Sequence, residues 1–174
     1  MIGNQKVQNS LIQSIRDITE TIAHSFVRQN STIMVAESAT GGLIQHFLTE
    51  IPGSSDFFLG GIVAYSDELK HRLLQVPKSV IQRYGAVSEE TVAAMANGIR
   101  LILLTDYGLA TSGIAGPTGA RPKKPLGLVH IAVSHRGFET ITRNLVFKGT
   151  RTENKLYFCQ AALQFLLEAI SSEE

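Results

Sequence analysis

The segment AESATGG (36–42) contains the first side chain that could act as a nucleophile. It follows a short apolar, β-branched run and precedes a helical pattern, and α/β sheets bind ligands at such strand-to-helix turns. Ser38 could attack a carbonyl carbon, with neighbouring backbone N–H groups stabilising the oxyanion. Gly41 and Gly42 would let those groups approach an anion closely. The alternative is structural, because Ser38 or Thr40 could simply cap the helix.

A second set of reactive side chains lies in the segment YSDELK, where Tyr65 ends a strand-like run and Lys70 falls in the first turns of the next helix. The helix dipole disfavours a positive charge at such a position. Because this lowers the pKa of an amine, Lys70 could act as a general base and form a Ser–Lys pair with Ser38. The alternative is an exposed lysine that pairs with Asp67 or Ser66.

A third segment, SGIAGPTGARPKKPLG (112–127), follows another strand-like run and is rich in glycine and basic residues. Its backbone N–H groups and its cations could bind a phosphate together (Gly113, Gly116, Gly119, Arg121, Lys123 and Lys124). The alternative is a solvated surface loop. At the start of the last helical pattern, Arg151 and Lys155 share one face, and a solvated helix face is the default interpretation there.

The composition predicts a globular domain without a polyanionic partner. The chain has 174 residues, of which 44% are hydrophobic and 18% charged, which is typical of one folded domain. Sixteen Lys and Arg against fifteen Asp and Glu give a net charge of +1. So small a charge provides no basic field, and we therefore expect neither a nucleic acid nor a membrane as partner.

The distribution of apolar and sulfur-containing residues favours the cytoplasm. No apolar run approaches the roughly 20 residues that a membrane-spanning helix needs, and the start of the sequence lacks the pattern of a secretory signal. The single cysteine, Cys159, excludes a disulfide framework and a CxxC metal pair. The histidines show no HExxH or HxxxH spacing (His24, His46, His71, His130 and His135). We therefore expect no metal and no cofactor.

Hydrophobic periodicity predicts the elements that position these residues. Apolar residues at helical spacing indicate an N-terminal helix over about residues 9–30, and further helical patterns follow each of the first two strand-like runs and close the chain. Strands are predicted from apolar and β-rich runs, the last two of which flank a turn at Arg136-Gly137 (31–36, 60–65, the start of 107–117, 126–134 and 138–147). We therefore predict one α/β domain over 1–174, a three-layer α/β/α sandwich with a mixed, mostly parallel sheet and a late β-hairpin.

Four segments make the chain resemble a known family: AESATGG, GSSDFFLGGIVAYSDELKHRLLQV, YGAVSEETVAAMA and SGIAGPTG…KKPLG. From about residue 32 to 170 it is similar to the C-terminal domain of the competence-damage-inducible proteins, the CinA C-terminal family, which includes stand-alone nicotinamide-nucleotide amidohydrolases. The resemblance implies an α/β/α sandwich and a cytoplasmic homo-oligomer. It also implies hydrolysis of nicotinamide mononucleotide to nicotinate mononucleotide and ammonia, without a metal, in pyridine-nucleotide salvage.

The resemblance also assigns roles to individual residues. The family's serine, tyrosine and lysine fall on Ser38, Tyr65 and Lys70. Ser38 would form an acyl-enzyme, Lys70 would take the serine proton, and Tyr65 would position or relay that proton. The two glycine-rich turns would hold the oxyanion and the phosphate, and the substrate-binding residues would be Glu37, Thr40, Gly41, Gly42, Ser112, Gly113, Gly116, Gly119 and Arg151.

The chain departs from the family pattern at several positions. Ala39 replaces the usual Cys, and Thr118 and Ala120 replace two positions of the glycine loop. Lys123 stands where the family commonly has Glu, and Lys155 stands where it commonly has Arg. Arginine and lysine are not equivalent for bidentate phosphate contact. Two other functions therefore stay open: a non-catalytic domain that binds a nucleotide or a partner protein, and an amidohydrolase acting on another amide such as nicotinamide riboside.

Overall fold

Five strands form one mixed sheet in the computed structural model, which describes residues 2–172: β1 (Ile33–Glu37), β2 (Phe58–Val63), β3 (Tyr107–Gly113), β4 (Leu128–His135) and β5 (Ile141–Val146). Their order in the sheet is β2-β1-β3-β4-β5. β1 pairs in parallel with β2 and β3, whereas β4 is antiparallel to both β3 and β5. Four of the five strands therefore run in the same direction, which confirms the predicted mixed sheet and late hairpin.

Helices cover both faces of this sheet: α1 (Ile2–Gln29), α2 (Leu43–Thr49), α3 (Asp67–Leu74), α4 (Lys78–Tyr84), α5 (Glu89–Ile102) and α6 (Arg151–Ser171). The core on one face is formed with α1, α2 and α6, and the core on the other face with α3, α4 and α5. This arrangement confirms the three-layer sandwich. Strand alternation explains it, since Ile33 and Val35 of β1 enter the first core while Met34 and Ala36 enter the second.

Two predicted boundaries differ from the structure. α1 begins at Ile2 rather than near residue 9, because Leu11 is the first buried apolar residue among the side chains of this helix that the structure describes, and the sequence before it has no clear helical periodicity. β2 covers 58–63 rather than 60–65, since its ladder with β1 starts at Phe58. Tyr65 therefore lies beyond the sheet, at the start of the connection to α3.

The carboxyl ends of the three parallel strands form a crevice. From β1 the chain crosses through α2 to β2 on one side, and it then returns through α3, α4 and α5 to β3 on the other side. Because these two crossovers lie on opposite faces of the sheet, β1 is a topological switch point, where α/β sheets bind ligands. Ser38, Tyr65 and the loop after Gly113 all follow these strand ends.

A buried carboxylate holds the turn between β1 and α2. Glu37 is fully buried and accepts hydrogen bonds from the backbone N–H groups of Gly42 (2.9 Å), Ile44 (3.2 Å) and Gln45 (2.9 Å). Gly41 and Gly42 have positive φ angles of 64° and 95°, a conformation that glycine adopts at little steric cost. This turn lets α2 direct its first N–H groups back at the strand end, and it thereby fixes the segment that carries Ser38.

We predict that Glu37→Gln lowers the free energy of unfolding by about 2–3 kcal/mol, because hydrogen bonds to a charged group are lost and an amide N–H would face backbone donors. Urea unfolding followed by circular dichroism measures this change. Glu20→Gln, at an exposed position on α1, is the matched control and should stay within about 0.5 kcal/mol of the wild type. Equal midpoints for wild type and Glu37→Gln would contradict the assigned role.

Candidate active site

Ser38 lies directly after β1 and points towards α3. Its backbone N–H donates to the carbonyl of Thr111 (3.0 Å), so the residue continues the parallel ladder of β1 with β3. The alternation of β1 then places its side chain on the same face as Met34 and Ala36. Ser38 is 9% exposed, and its Oγ accepts a hydrogen bond from Nζ of Lys70 at 3.3 Å. The structure thus brings together the two residues of the predicted Ser–Lys pair.

The structural alternative for this turn, a cap on α2 by Ser38 or Thr40, is wrong. The N-cap residue is Gly42, which has no side chain to accept a capping hydrogen bond. Thr40 is fully buried, and its hydroxyl lies 2.8 Å from that of Thr111. Because the carboxylate of Glu37 takes the first N–H groups of α2, the hydroxyl of Ser38 has no capping role and remains directed at Lys70.

Lys70 is buried, with 1% of its surface exposed, although lysine is rarely buried in proteins. Its Nζ donates to the carbonyl oxygen of Ala64 (2.9 Å) as well as to Ser38. The alternative of an exposed lysine paired with Asp67 or Ser66 is therefore wrong. Burial of the side chain follows from its place on α3, where it faces the carboxyl end of β2 rather than solvent.

Burial also changes the acidity of this lysine. Desolvation lowers the pKa of Lys70 below its usual value of 10.5, whereas the nearby carboxylate of Asp67 has a smaller effect in the opposite direction. A neutral amine is therefore easier to reach than in a solvated lysine. It can keep one N–H on the carbonyl of Ala64 and direct its lone pair at the hydroxyl of Ser38. This is the arrangement that a general base requires.

Tyr65 and Arg151 form a second polar pair near the dyad. Tyr65 is 64% exposed, and its hydroxyl oxygen accepts a hydrogen bond from Nη2 of Arg151 at 3.3 Å. Nη1 of the same guanidinium donates to the carbonyl of Gly116 (2.8 Å). In the described part of the chain Tyr65 makes no hydrogen bond to Ser38 or Lys70. The first residue of α6 thus connects the tyrosine to the loop that follows β3.

The loop after β3 is held in place by buried polar side chains. Asn154 of α6, which the sequence did not single out, donates from Nδ2 to the carbonyls of Ala115 (3.0 Å) and Gly149 (2.9 Å). Ser112 at the end of β3 donates to the carbonyl of Ala86 (2.7 Å). These contacts fix where the loop begins relative to α6 and to the segment before α5.

Two adjoining cavities open at this edge of the sheet. The smaller has a volume of about 260 Å3 and contains the dyad of Ser38 and Lys70 in its wall. Tyr65, Asp67 and Arg151 line both cavities, so the two spaces share a border. Asp67 lies three residues before Lys70 on α3, and residues at this spacing are neighbours on a helix surface. This spacing is the sequence signal that could have placed Asp67 at the site.

The larger cavity has a volume of about 620 Å3 and is bordered by the glycine loop. Gly116 and Gly119 line it, together with the cations Arg121 and Lys124. Nζ of Lys124 also donates to the carbonyl of Tyr84 (2.6 Å), which ties the loop to the end of α4. Gly113 lines both cavities, while Ser112 lines only the smaller one.

Four of the predicted substrate-binding residues lie outside both cavities: Glu37, Thr40, Gly41 and Gly42. The carboxylate of Glu37 accepts the N–H of Gly42, so this donor is not directed at a ligand. Gly41 instead faces Lys155, whose Nζ would lie 3.3 Å from a Cβ atom at the glycine. The geometry thus gives these residues a structural role in the turn, which their position within the motif did not reveal.

The cysteine and the other metal-ligating side chains of the described residues give no second site. Within residues 2–172, no group of three or more His, Cys, Asp or Glu side chains is placed to hold a metal ion. Cys159 is buried, and its burial raises the pKa of the thiol well above the usual value, so the thiol stays protonated. Over the same range, no helix combines the length and the hydropathy needed to cross a bilayer.

Known protein structures share this fold over nearly their whole length. The competence damage-inducible protein A from Klebsiella pneumoniae superimposes with a TM-score of 0.87 at 31% identity, covering 90% of this chain and 97% of that one. The competence or damage-inducible protein from Enterobacter asburiae gives a TM-score of 0.86 at 35% identity, with coverage of 90% and 98%.

Proteins that are similar in sequence point to the same family as these structures. A putative competence-damage inducible protein of Moorella thermoacetica is 46% identical over 142 residues, 82% of this chain and 34% of that protein. A CinA-like protein of Chlorobium chlorochromatii is 42% identical over 172 residues, 95% of this chain and 41% of that protein. The chain therefore spans about a third to two fifths of these longer relatives. The family model of the CinA C-terminal domain matches residues 15–170, and the chain belongs to this family.

Proposed function

We propose that this domain hydrolyses the carboxamide of nicotinamide mononucleotide to nicotinate mononucleotide and ammonia, in pyridine-nucleotide salvage. One observation carries the proposal: a buried amine, Nζ of Lys70, lies 3.3 Å from the buried hydroxyl of Ser38 in the wall of a cavity. A base this close to a serine activates it for attack on an acyl carbon. The identity of the amide comes from the family resemblance.

In the first half of the reaction, Oγ of Ser38 attacks the amide carbon while its proton moves to the neutral Nζ of Lys70. A C–O bond forms, and the carbonyl electrons move to the oxygen. When this intermediate collapses, the C–N bond breaks and the ammonium of Lys70 gives its proton to the leaving nitrogen. Ammonia departs, and the acyl group stays on Ser38 as an ester.

In the second half, a water molecule attacks the ester and Lys70 takes the proton of that water. The bond between the acyl carbon and Oγ breaks on collapse, and Lys70 returns the proton to Ser38. The nicotinate product loses its own proton to solvent and leaves as a carboxylate. Lys70 thus acts alternately as base and acid, which requires a pKa nearer neutrality than that of a solvated lysine.

The larger cavity supplies a binding site for the nucleotide part of the substrate. Arg121 and Lys124 line the larger cavity and not the smaller one, whereas Arg151 lines both and lies at the border with the dyad. Guanidinium and ammonium groups form charge-assisted hydrogen bonds with phosphate. Because Arg151 already donates to the oxygen of Tyr65, the O–H of the tyrosine is left to donate to the substrate.

We predict that Ser38→Ala reduces ammonia release from nicotinamide mononucleotide to less than about a thousandth of the wild-type rate. Lys70→Met should cost about 10²–10⁴-fold, the usual contribution of a general base. Ammonia can be measured in a coupled assay with purified protein. Ser55→Ala, which changes an exposed serine before β2, is the control and should keep full activity. Tight binding of the nucleotide without ammonia release by the wild type would favour the non-catalytic alternative.

The pH dependence tests the role of Lys70 separately. Since burial lowers its pKa below 10.5, kcat/KM should rise with pH as the amine loses its proton, and the rise should level off below the pH expected for a solvated lysine. Lys70→Arg should remain inactive across this range, because a guanidinium stays protonated. A wild-type profile that is flat between pH 6 and pH 10 would argue against a lysine base.

Phosphate binding predicts a preference among nicotinamide derivatives. Nicotinamide mononucleotide should exceed nicotinamide riboside by about ten-fold or more in kcat/KM, because each charge-assisted hydrogen bond contributes about 1.5–3 kcal/mol. The double variant Arg121→Ala/Lys124→Ala should narrow this preference and leave the rate with the riboside unchanged. Equal kcat/KM values of the wild type for both compounds would contradict the proposed phosphate site, and they would not bear on the roles of Ser38 and Lys70.

A further inference from the structure

One carboxylate in the site has no assigned partner or role. Asp67 is the first residue of α3 and lines both cavities, and it shares the smaller one with Lys70. Among the described residues, its carboxylate takes part in no hydrogen bond or salt bridge, whereas the next residue, Glu68, pairs with Arg72. The carboxylate is therefore available to a ligand in the cavity that contains the dyad.

Stabilisation of α3 does not by itself explain this placement. Carboxylates in the first turn of a helix interact favourably with the helix dipole, and Asp67 and Glu68 both lie in that turn. Glu68 can fulfil this role from a position outside the two cavities. Asp67 and Glu68 therefore share the first turn of the helix, and they differ in that only Asp67 lines the two cavities.

The electrostatic setting makes an anion here costly for the proposed reaction. The other charged residues that line the two cavities are cations: Lys70, Arg121, Lys124 and Arg151. The charge of Asp67 repels a phosphate, and it raises the pKa of Lys70, which disfavours the neutral amine that the reaction needs. A ligand that brings a positive charge close to Asp67 offsets both effects.

We propose that Asp67 is a specificity-determining residue that selects amides carried on a positively charged ring, such as an N-substituted pyridinium. This inference rests on the proposed function, in which the amide lies against Ser38 and Lys70. A pyridinium carboxamide has its positive charge in the same ring that bears the amide carbon, so the charge is brought to the wall where Asp67 lies. A neutral aromatic amide gains nothing from this carboxylate.

The same contact affects the base. When a cationic ring binds, it compensates the charge of Asp67, and its own charge disfavours a second cation on Lys70. Substrate binding therefore shifts Lys70 towards the neutral amine that attack by Ser38 requires. The positive ring thus contributes to selection and to activation through one carboxylate.

The test compares two ligands that differ in ring charge: nicotinamide mononucleotide and its reduced dihydropyridine form, which keeps the carboxamide, ribose and phosphate. Binding is measured by calorimetry in the Ser38→Ala background, so that no turnover interferes. Adding Asp67→Asn should weaken binding of the oxidised nucleotide about ten-fold or more and change binding of the reduced form less than two-fold. Glu68→Gln, which removes the neighbouring charge on the same helix turn, should change neither.

An equal loss for both ligands, or no loss for the oxidised one, overturns the inference, and so does the absence of any binding by the oxidised nucleotide. These outcomes are distinguishable from failure of the proposed function. That failure is seen as no ammonia release by the wild-type protein, whereas charge-selective binding that depends on Asp67 is measured without turnover. Binding that is selective for the charged ring in a protein without hydrolytic activity would support this inference and reject the proposed function.

Discussion

Removal of the Lys70 amine from water is the constraint on which the site depends. A buried amine must find hydrogen-bond partners or give up its charge, and the carbonyl of Ala64 and the hydroxyl of Ser38 are the partners that the fold provides. These two groups follow the carboxyl ends of neighbouring parallel strands, β2 and β1. Their meeting with Lys70 therefore requires the strand register and the packing of α3 at the same time.

The second buried ionisable side chain near the turn, Glu37, has more hydrogen-bond partners than Lys70. Glu37 receives three backbone N–H groups, whereas Lys70 has two acceptors for the three N–H bonds of an ammonium. The carboxylate thus has a full set of donors and holds the turn, while the amine of Lys70 lacks one acceptor and can change its protonation state. Rigidity and reactivity at this edge of the sheet come from two buried ionisable groups with different numbers of partners.

Local sequence patterns predicted the layers of the fold and the positions of the dyad, because strand alternation, helix periodicity and turn composition are all local signals. They did not reveal strand order, which depends on tertiary pairing. Glu37 was expected to bind substrate because of its place in the motif, yet the destination of its carboxylate depends on the path of the following backbone. Asp67 was considered only as a partner for Lys70, since its relation to the cavities follows from how α3 packs on the sheet.

The connection from Arg151 to Gly116 and Tyr65 has a consequence for the time at which the site becomes complete. Ser38 and Lys70 belong to the first half of the chain, but the wall that borders both cavities includes the first residue of α6, the final element along the described chain. Chains are synthesised from the N-terminus. A nascent or C-terminally shortened polypeptide therefore carries the reactive pair before it carries the enclosure, and competence for the proposed reaction arrives only with the last helix.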